Sequence, residues 1–175
     1  MTEPLDDLDL RILKELQDDA TLPLVTLASR VGSSKSVCWR RVQRFIDQKI
    51  ITDRVAILNP KALGFGVMVL AFLKIDGRSG TPLSEFIDAL RKLPQVLECH
   101  ALMGDVDMML KILVKDIEEY EHFLWNSLAN VAGVQDIKSC ISVTRLINTT
   151  KIPLEHLRKP KAARPAVRKR RVSKR

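Results

Sequence analysis

Two short stretches of helical periodicity are separated by only Gly32-Ser33-Ser34. Leu24, Leu27, Ala28 and Val31 fall at i, i+3, i+4 and i+7, the stripe of an amphipathic helix. Cys38, Val42 and Phe45 mark the inner stripe of a following helix expected over 35–48, with Ser34 as its N-cap. Gly32 fits the left-handed stop of the preceding helix. A short Gly-containing turn between two such helices is the signature of a helix-turn-helix. An earlier helix is expected from Leu8, Ile12, Leu13 and Leu16, ending near Asp18–Ala20, with Asp6, Asp7 and Asp9 at its dipole-favoured N-terminus. After the helices, Ile51, Asp53, Val55 and Ile57 alternate as a wing or hinge strand over 50–58, closed by Asn59-Pro60.

Beyond residue 60 the rhythm changes. Val67–Ile75 is almost continuously apolar and reads as a strand buried on both faces. Leu83, Phe86, Ile87, Leu90 and Leu93 predict a helix entered through Thr81-Pro82. Val96–Met103 and Asp107–Val114 read as two strands joined by Gly104-Asp105-Val106. Ile117, Tyr120, Phe123, Leu124 and Leu128 predict a second helix, stopped near Gly133, and Ile137, Ser139, Ile141 and Val143 a last strand. The order βαββαβ predicts a ferredoxin-like (ACT-like) sandwich. The fold class is therefore α+β, a winged helix-turn-helix joined to that sandwich by a hinge strand. The expected divisions are 1–60 for DNA binding, 61–157 for effector binding and oligomerisation, and 158–175 as a tail.

That tail holds ten of the chain's 29 Lys/Arg and no acid, leaving nineteen bases against all 21 acids in the rest. The formal net charge of +8 is therefore a property of the tail. It lacks apolar periodicity and is expected to be disordered. Charge is also segregated inside the first domain. Residues 1–19 carry seven acids against Arg11 and Lys14, whereas 30–54 carry seven bases against Asp47 and Asp53. A basic segment in a near-neutral domain points to a face for a polyanion. Met1–Asp9 contains four acids and no base, unlike a signal peptide, and no apolar run reaches the roughly 18 residues of a membrane span. Cys38, Cys99 and Cys140 are odd in number and form no CxxC, which predicts free buried thiols in a reducing compartment. The expected location is cytoplasmic, associated with the nucleoid.

Three segments resemble the leucine-responsive/asparagine-synthase regulator family, also called feast/famine regulators. LDDLDLRILKELQDDA resembles its opening helix. LASRVGSSKSVCWRRVQRF resembles its helix-turn-helix, and LECHALMGDVDMMLKILV the hairpin of its sensing domain. CWRRVQRF and NTTKIPL also resemble a cysteine-sensing, detoxifying branch. The basic tail lies outside the resemblance. What the resemblance implies is a transcription regulator that binds double-stranded DNA and responds to an amino acid or related metabolite. It implies homodimers, paired through their sheets, that assemble to an octamer or similar disc.

On the DNA side, Ser34, Lys35 and Ser36 occupy the first turn of the recognition helix, where side chains reach base edges. Arg40 and Arg44 are four residues apart and share a face with Arg41 beside them, able to grip guanine or phosphate. The alternative for all three is a solvated basic face. Trp39 belongs to the same set, either packed along the domain edge or touching a thymine methyl. Cys38 faces the core. On the sensing side, the resemblance implies an effector held by the Gly-Asp-x-Asp loop and a neighbouring subunit's last strand. That nominates Met103, Gly104, Asp105, Val106, Asp107 and Ser139, whose backbone and hydroxyl groups suit a carboxylate and an ammonium. The plain alternative is a hairpin with acidic turn residues. His100, His122 and His156 are scattered and no catalytic, metal or cofactor set is present in the sequence, so no enzyme is expected. A rival function is a nucleoid-architectural protein that wraps DNA with little sequence choice.

Overall fold

The computed structural model describes residues 4–76, 80 and 82–157, and separates the chain into two units. Thr81 and the basic tail over 158–175 lie outside the described residues, and with them the expectations made there.

The first unit begins with a reciprocal cap. The Asp6 carboxylate accepts the Asp9 N–H at 2.8 Å, and the Asp9 carboxylate accepts the Asp6 N–H at 3.0 Å. These two bonds satisfy donors that helix α1 (Asp7–Asp18) would otherwise leave open. Helix α2 (Leu24–Val31) ends at Gly32, whose φ of 66° lets Ser33 donate back to the Ala28 carbonyl at 2.9 Å. Ser34 then caps helix α3 (Lys35–Asp47), its hydroxyl accepting the Val37 N–H. Ile12, Leu13, Leu27, Ala28, Val31, Cys38, Val42 and Phe45 form the core of the unit.

Residues 50–58 form no ladder despite their alternation, and Val55, Ile57 and Leu58 are exposed. Alternation selects an extended conformation, but a strand needs a hydrogen-bonding neighbour, and none of the described strands pairs with this one. A second departure lies at the other end. Thr149–Leu157, expected with the sensing domain, packs on the helical unit. The Gln17 amide donates to the Ile152 carbonyl and accepts the Ile152 N–H, while Leu154 joins the helical core.

The second unit has strands β1 (Val67–Ile75), β2 (Val96–Ala101), β3 (Met108–Val114) and β4 (Val134–Ser142), with helices α4 (Leu83–Arg91) and α5 (Ile117–Asn126) between them. The sheet is antiparallel in the order β2-β3-β1-β4. Val69, Ala71 and Leu73 oppose Ile112, Leu110 and Met108, and this face is buried with Phe86, Leu90, Tyr120 and Phe123 of the helices. β1 is therefore buried on one face rather than two. Met68, Leu70 and Phe72 on its other side are only half-buried, because both helices lie on the same side of the sheet.

Candidate nucleic-acid interface and ligand loop

Helix α3 carries its polar residues in two groups. Ser34, Lys35, Ser36, Trp39 and Arg40 are exposed along one side, and the Ser34 and Ser36 hydroxyls lie 3.2 Å apart. Trp39 is 54% exposed, with the rest of its ring covered. Among the described residues Arg40 has no ion-pair partner, which leaves its guanidinium available to solvent or to an anion.

Arg41 and Arg44 lean the other way. Arg41 donates to Asp6 at 2.6 Å and to Asp9 at 2.7 Å, and Arg44 pairs with Asp9 at 2.6 Å while lying over the Phe45 ring. The Asp9 side chain is 1% exposed, so its charge is compensated inside the unit rather than by water. Burial raises the Asp6 pKa, but the bonds from Arg41 and the Asp9 N–H outweigh it and hold that carboxyl below its ordinary value. The same bonds from Asp6 and then Asp9 raise Arg41. Two of the three arginines in the expected DNA set thus tie α3 to α1, and Arg44 does not share a free face with Arg40. The sequence held a signal for this. Asp9 lies four and seven residues before Leu13 and Leu16, on the apolar stripe, where an acid needs a counter-charge.

In the second unit the β2–β3 connection exposes Met103, Gly104 and Asp105 and leaves Val106 half-buried. Asp107 anchors the loop. Its N–H donates to the Leu73 carbonyl at 3.0 Å, its carbonyl accepts the Leu102 N–H, and its carboxylate accepts the Ile75 N–H at 2.8 Å. Asp107 therefore prolongs the ladder to β1, and among the described residues no hydrogen bond engages the polar groups of residues 103–106. Ser139 is not brought to this loop within one chain. It opposes Ala71, two residues along β1 from Leu73, and its hydroxyl meets the Tyr120 hydroxyl at 2.5 Å. Burial raises the Tyr120 pKa despite that bond.

The thiols depart from expectation. Cys38 is buried, but Cys99 and Cys140 are exposed because they stand on the edge strands β2 and β4. Beside β2, a groove of about 440 Å³ opens against α4, lined by Leu83, Ile87, Leu90, Leu97 and Cys99. On the open side of the sheet, Met68, Leu70, Phe72, Met109 and Leu113 make an apolar band next to Glu98, which bonds Lys111 and His100. Among the described residues no group of His, Cys, Asp and Glu could hold a metal, and no helix is long and apolar enough to cross a membrane.

Comparison with known proteins places each half. The AsnC-type helix-turn-helix domain matches residues 5–46, and the Lrp/AsnC ligand binding domain matches residues 68–152. The glutamate uptake regulatory protein of Zymomonas mobilis is 33% identical over 154 residues, covering 88% of this chain and 93% of its own. The DNA-binding transcriptional activator DecR of Escherichia coli is 30% identical over 151 residues, covering 86% and 99%. An AsnC family regulator from Agrobacterium tumefaciens matches with a TM-score of 0.81 and 34% identity over 87% of this chain and 99% of its own. A Neisseria meningitidis transcriptional regulator in complex with L-Met matches with a TM-score of 0.83 and 33% identity, again over 87% and 99%.

Proposed function

The chain belongs to the Lrp/AsnC family of transcriptional regulators, and we propose that it reads DNA with the outer side of α3 while an amino acid adjusts its assembly. The reading rests above all on the division of labour along α3. Ser34, Lys35, Ser36, Trp39 and Arg40 are exposed together, whereas Arg41 and Arg44 hold the helix that presents them. An exposed first turn, with an arginine one turn further on, suits the major groove.

The apolar band on the open side of the sheet supports a homodimer in which two such faces cover one another. Further assembly, to an octamer in this reading, would bring the 103–107 loop against a neighbour, where Ser139 of another subunit completes the effector site. The relative from Neisseria was solved with an amino acid, which supports that effector class. An effector that binds one assembly better than another shifts the spacing of the DNA-binding units. The protein so described is cytoplasmic and regulatory rather than catalytic.

Footprinting with and without each of the twenty amino acids tests the reading, with cysteine included for the branch resemblance. Discrete protected sites are expected, together with a thermal shift for the cognate ligand. Arg40→Ala should weaken binding by about 1–3 kcal/mol if the residue contacts a base. Broad protection without preferred sites would instead identify an architectural DNA-wrapping protein.

A further inference from the structure

Five residues of α3 are exposed, namely Lys35, Ser36, Trp39, Arg40 and Asp47. Four of them end in charged or hydrogen-bonding groups, and Trp39 alone offers a large apolar surface, more than half of it open. It stands in the second turn of the helix that Ser34 caps, four residues after Lys35, three after Ser36 and next to Arg40. With about 3.6 residues per turn, Ser36 is a surface neighbour of both Trp39 and Arg40. The indole has only two side-chain torsions and is already partly covered, so it loses little freedom when it makes a further contact.

The major groove shows the same contrast from its own side. Every base-pair edge there presents hydrogen-bond donors and acceptors, and thymine alone adds an apolar group, its C5 methyl. Lys35, Ser36 and Arg40 suit the polar atoms and the phosphates, whereas a methyl group needs an apolar neighbour to leave water. From this match we propose that Trp39 is a specificity-determining residue that reads thymine, packing its indole against the C5 methyl while Arg40 beside it takes a polar partner. The inference rests on the reading of α3 as the DNA-contacting helix. Removing one methyl from such a contact costs about fourfold in affinity, the transfer value of a single buried carbon. A dimer reading two symmetric half-sites makes the contact twice, so losing both costs about fifteenfold. An indole resting instead on the sugar-phosphate backbone, or against a second copy of the chain, would be indifferent to that methyl.

The test uses the full chain and a footprinted fragment in which the thymines are replaced, one position at a time, by deoxyuridine. That base keeps the pairing and every polar atom and lacks only the methyl. The wild-type chain should lose about fourfold in affinity at one thymine of each half-site and about fifteenfold when both are replaced. Trp39→Ala and Trp39→Gln should bind the unmodified fragment more weakly and no longer distinguish thymine from uracil at those positions. Arg40→Ala should weaken binding while keeping the uracil penalty, since it removes a neighbouring contact and not this one. A wild-type chain indifferent to uracil at every position overturns the proposal without recourse to any variant, and Trp39 then touches the backbone or another subunit. A uracil penalty of the same size in the Trp39 variants also overturns it, because another residue or the shape of the groove then senses the methyl. The absence of any protected site for the intact chain overturns the DNA-binding reading itself.

Discussion

The helical unit and the sheet unit are closed by different means. In the sheet unit, Val69, Leu73, Leu110, Ile112 and Val114 are wholly buried, and the layer of α4 and α5 covers them without any charged group among the core residues. In the helical unit, three short helices meet over a smaller apolar core, and its rim is closed by Asp9 with Arg41 and Arg44. A nine-residue strand packed against a helical layer can exclude water with hydrocarbon alone. Helices of eight to thirteen residues cannot shield every flank, so ionic and capping bonds fix their relative placement. The units should therefore fail differently, and the chain carries one tryptophan in each, Trp39 and Trp125, to tell them apart.

The largest effect is expected from Leu110→Ala, in the middle of the sheet. The side chain is fully buried on a central strand, so its removal should cost about 3–4 kcal/mol by lost transfer and an unfilled cavity. Urea unfolding followed through Trp125, in a Trp39→Phe background, should show that loss unchanged between low and high salt. A strongly salt-dependent loss would contradict the picture of a purely apolar core.

Next comes Asp9→Ala. It takes a buried counter-charge away from Arg44 and from Arg41, which keeps Asp6. The two guanidiniums are 25% and 20% exposed, so we expect about 2 kcal/mol, below the full cost for a completely buried pair. The loss should appear in the Trp39 signal and shrink in 1 M salt, which screens the excess positive charge. A change under about 0.5 kcal/mol, no more than an ordinary surface substitution, would mean that the network adds nothing to apolar packing.

The smallest effect should come from acid. Asp6 titrates below its ordinary value of 3.8 in the folded unit, so it adds stability above that pH which is lost as pH falls through its lowered folded value. Its side chain is 53% exposed, and solvent screening keeps the contribution small. The melting temperature reported by Trp39 should fall on going from pH 5 to pH 3, and Asp6→Asn, which retains the cap, should flatten part of that fall. An Asp6→Asn variant with an identical acid limb would remove Asp6 from the account.

Most elements were legible because each announces itself locally. The stripe from Leu24 to Val31, the Gly32 stop and the Ser34 cap delimit their helices within a few residues, and the apolar run of β1 begins and ends where expected. The exposed side of α3 was legible too, but the split among its arginines was not. Arg40, Arg41 and Arg44 are chemically alike, and only the position of Asp9 on another helix decides which of them stays free.

The amino-acid sequence by itself determined the order of helices and strands, the family, and the concentration of positive charge beyond residue 157, because periodicity, caps and charge are properties of neighbours along the chain. The tertiary structure alone decided what depends on partners distant in sequence. Residues 50–58 carry a strand's alternation yet pair with no described strand, and β1 is covered on one face because both helices choose the same side. Asp9 recruits arginines 32 and 35 residues away, and Gln17 receives Ile152 from 135 residues away. A hydrogen bond or ion pair is satisfied by whichever group the packing delivers, and packing is set by the whole core rather than by any local stretch of residues.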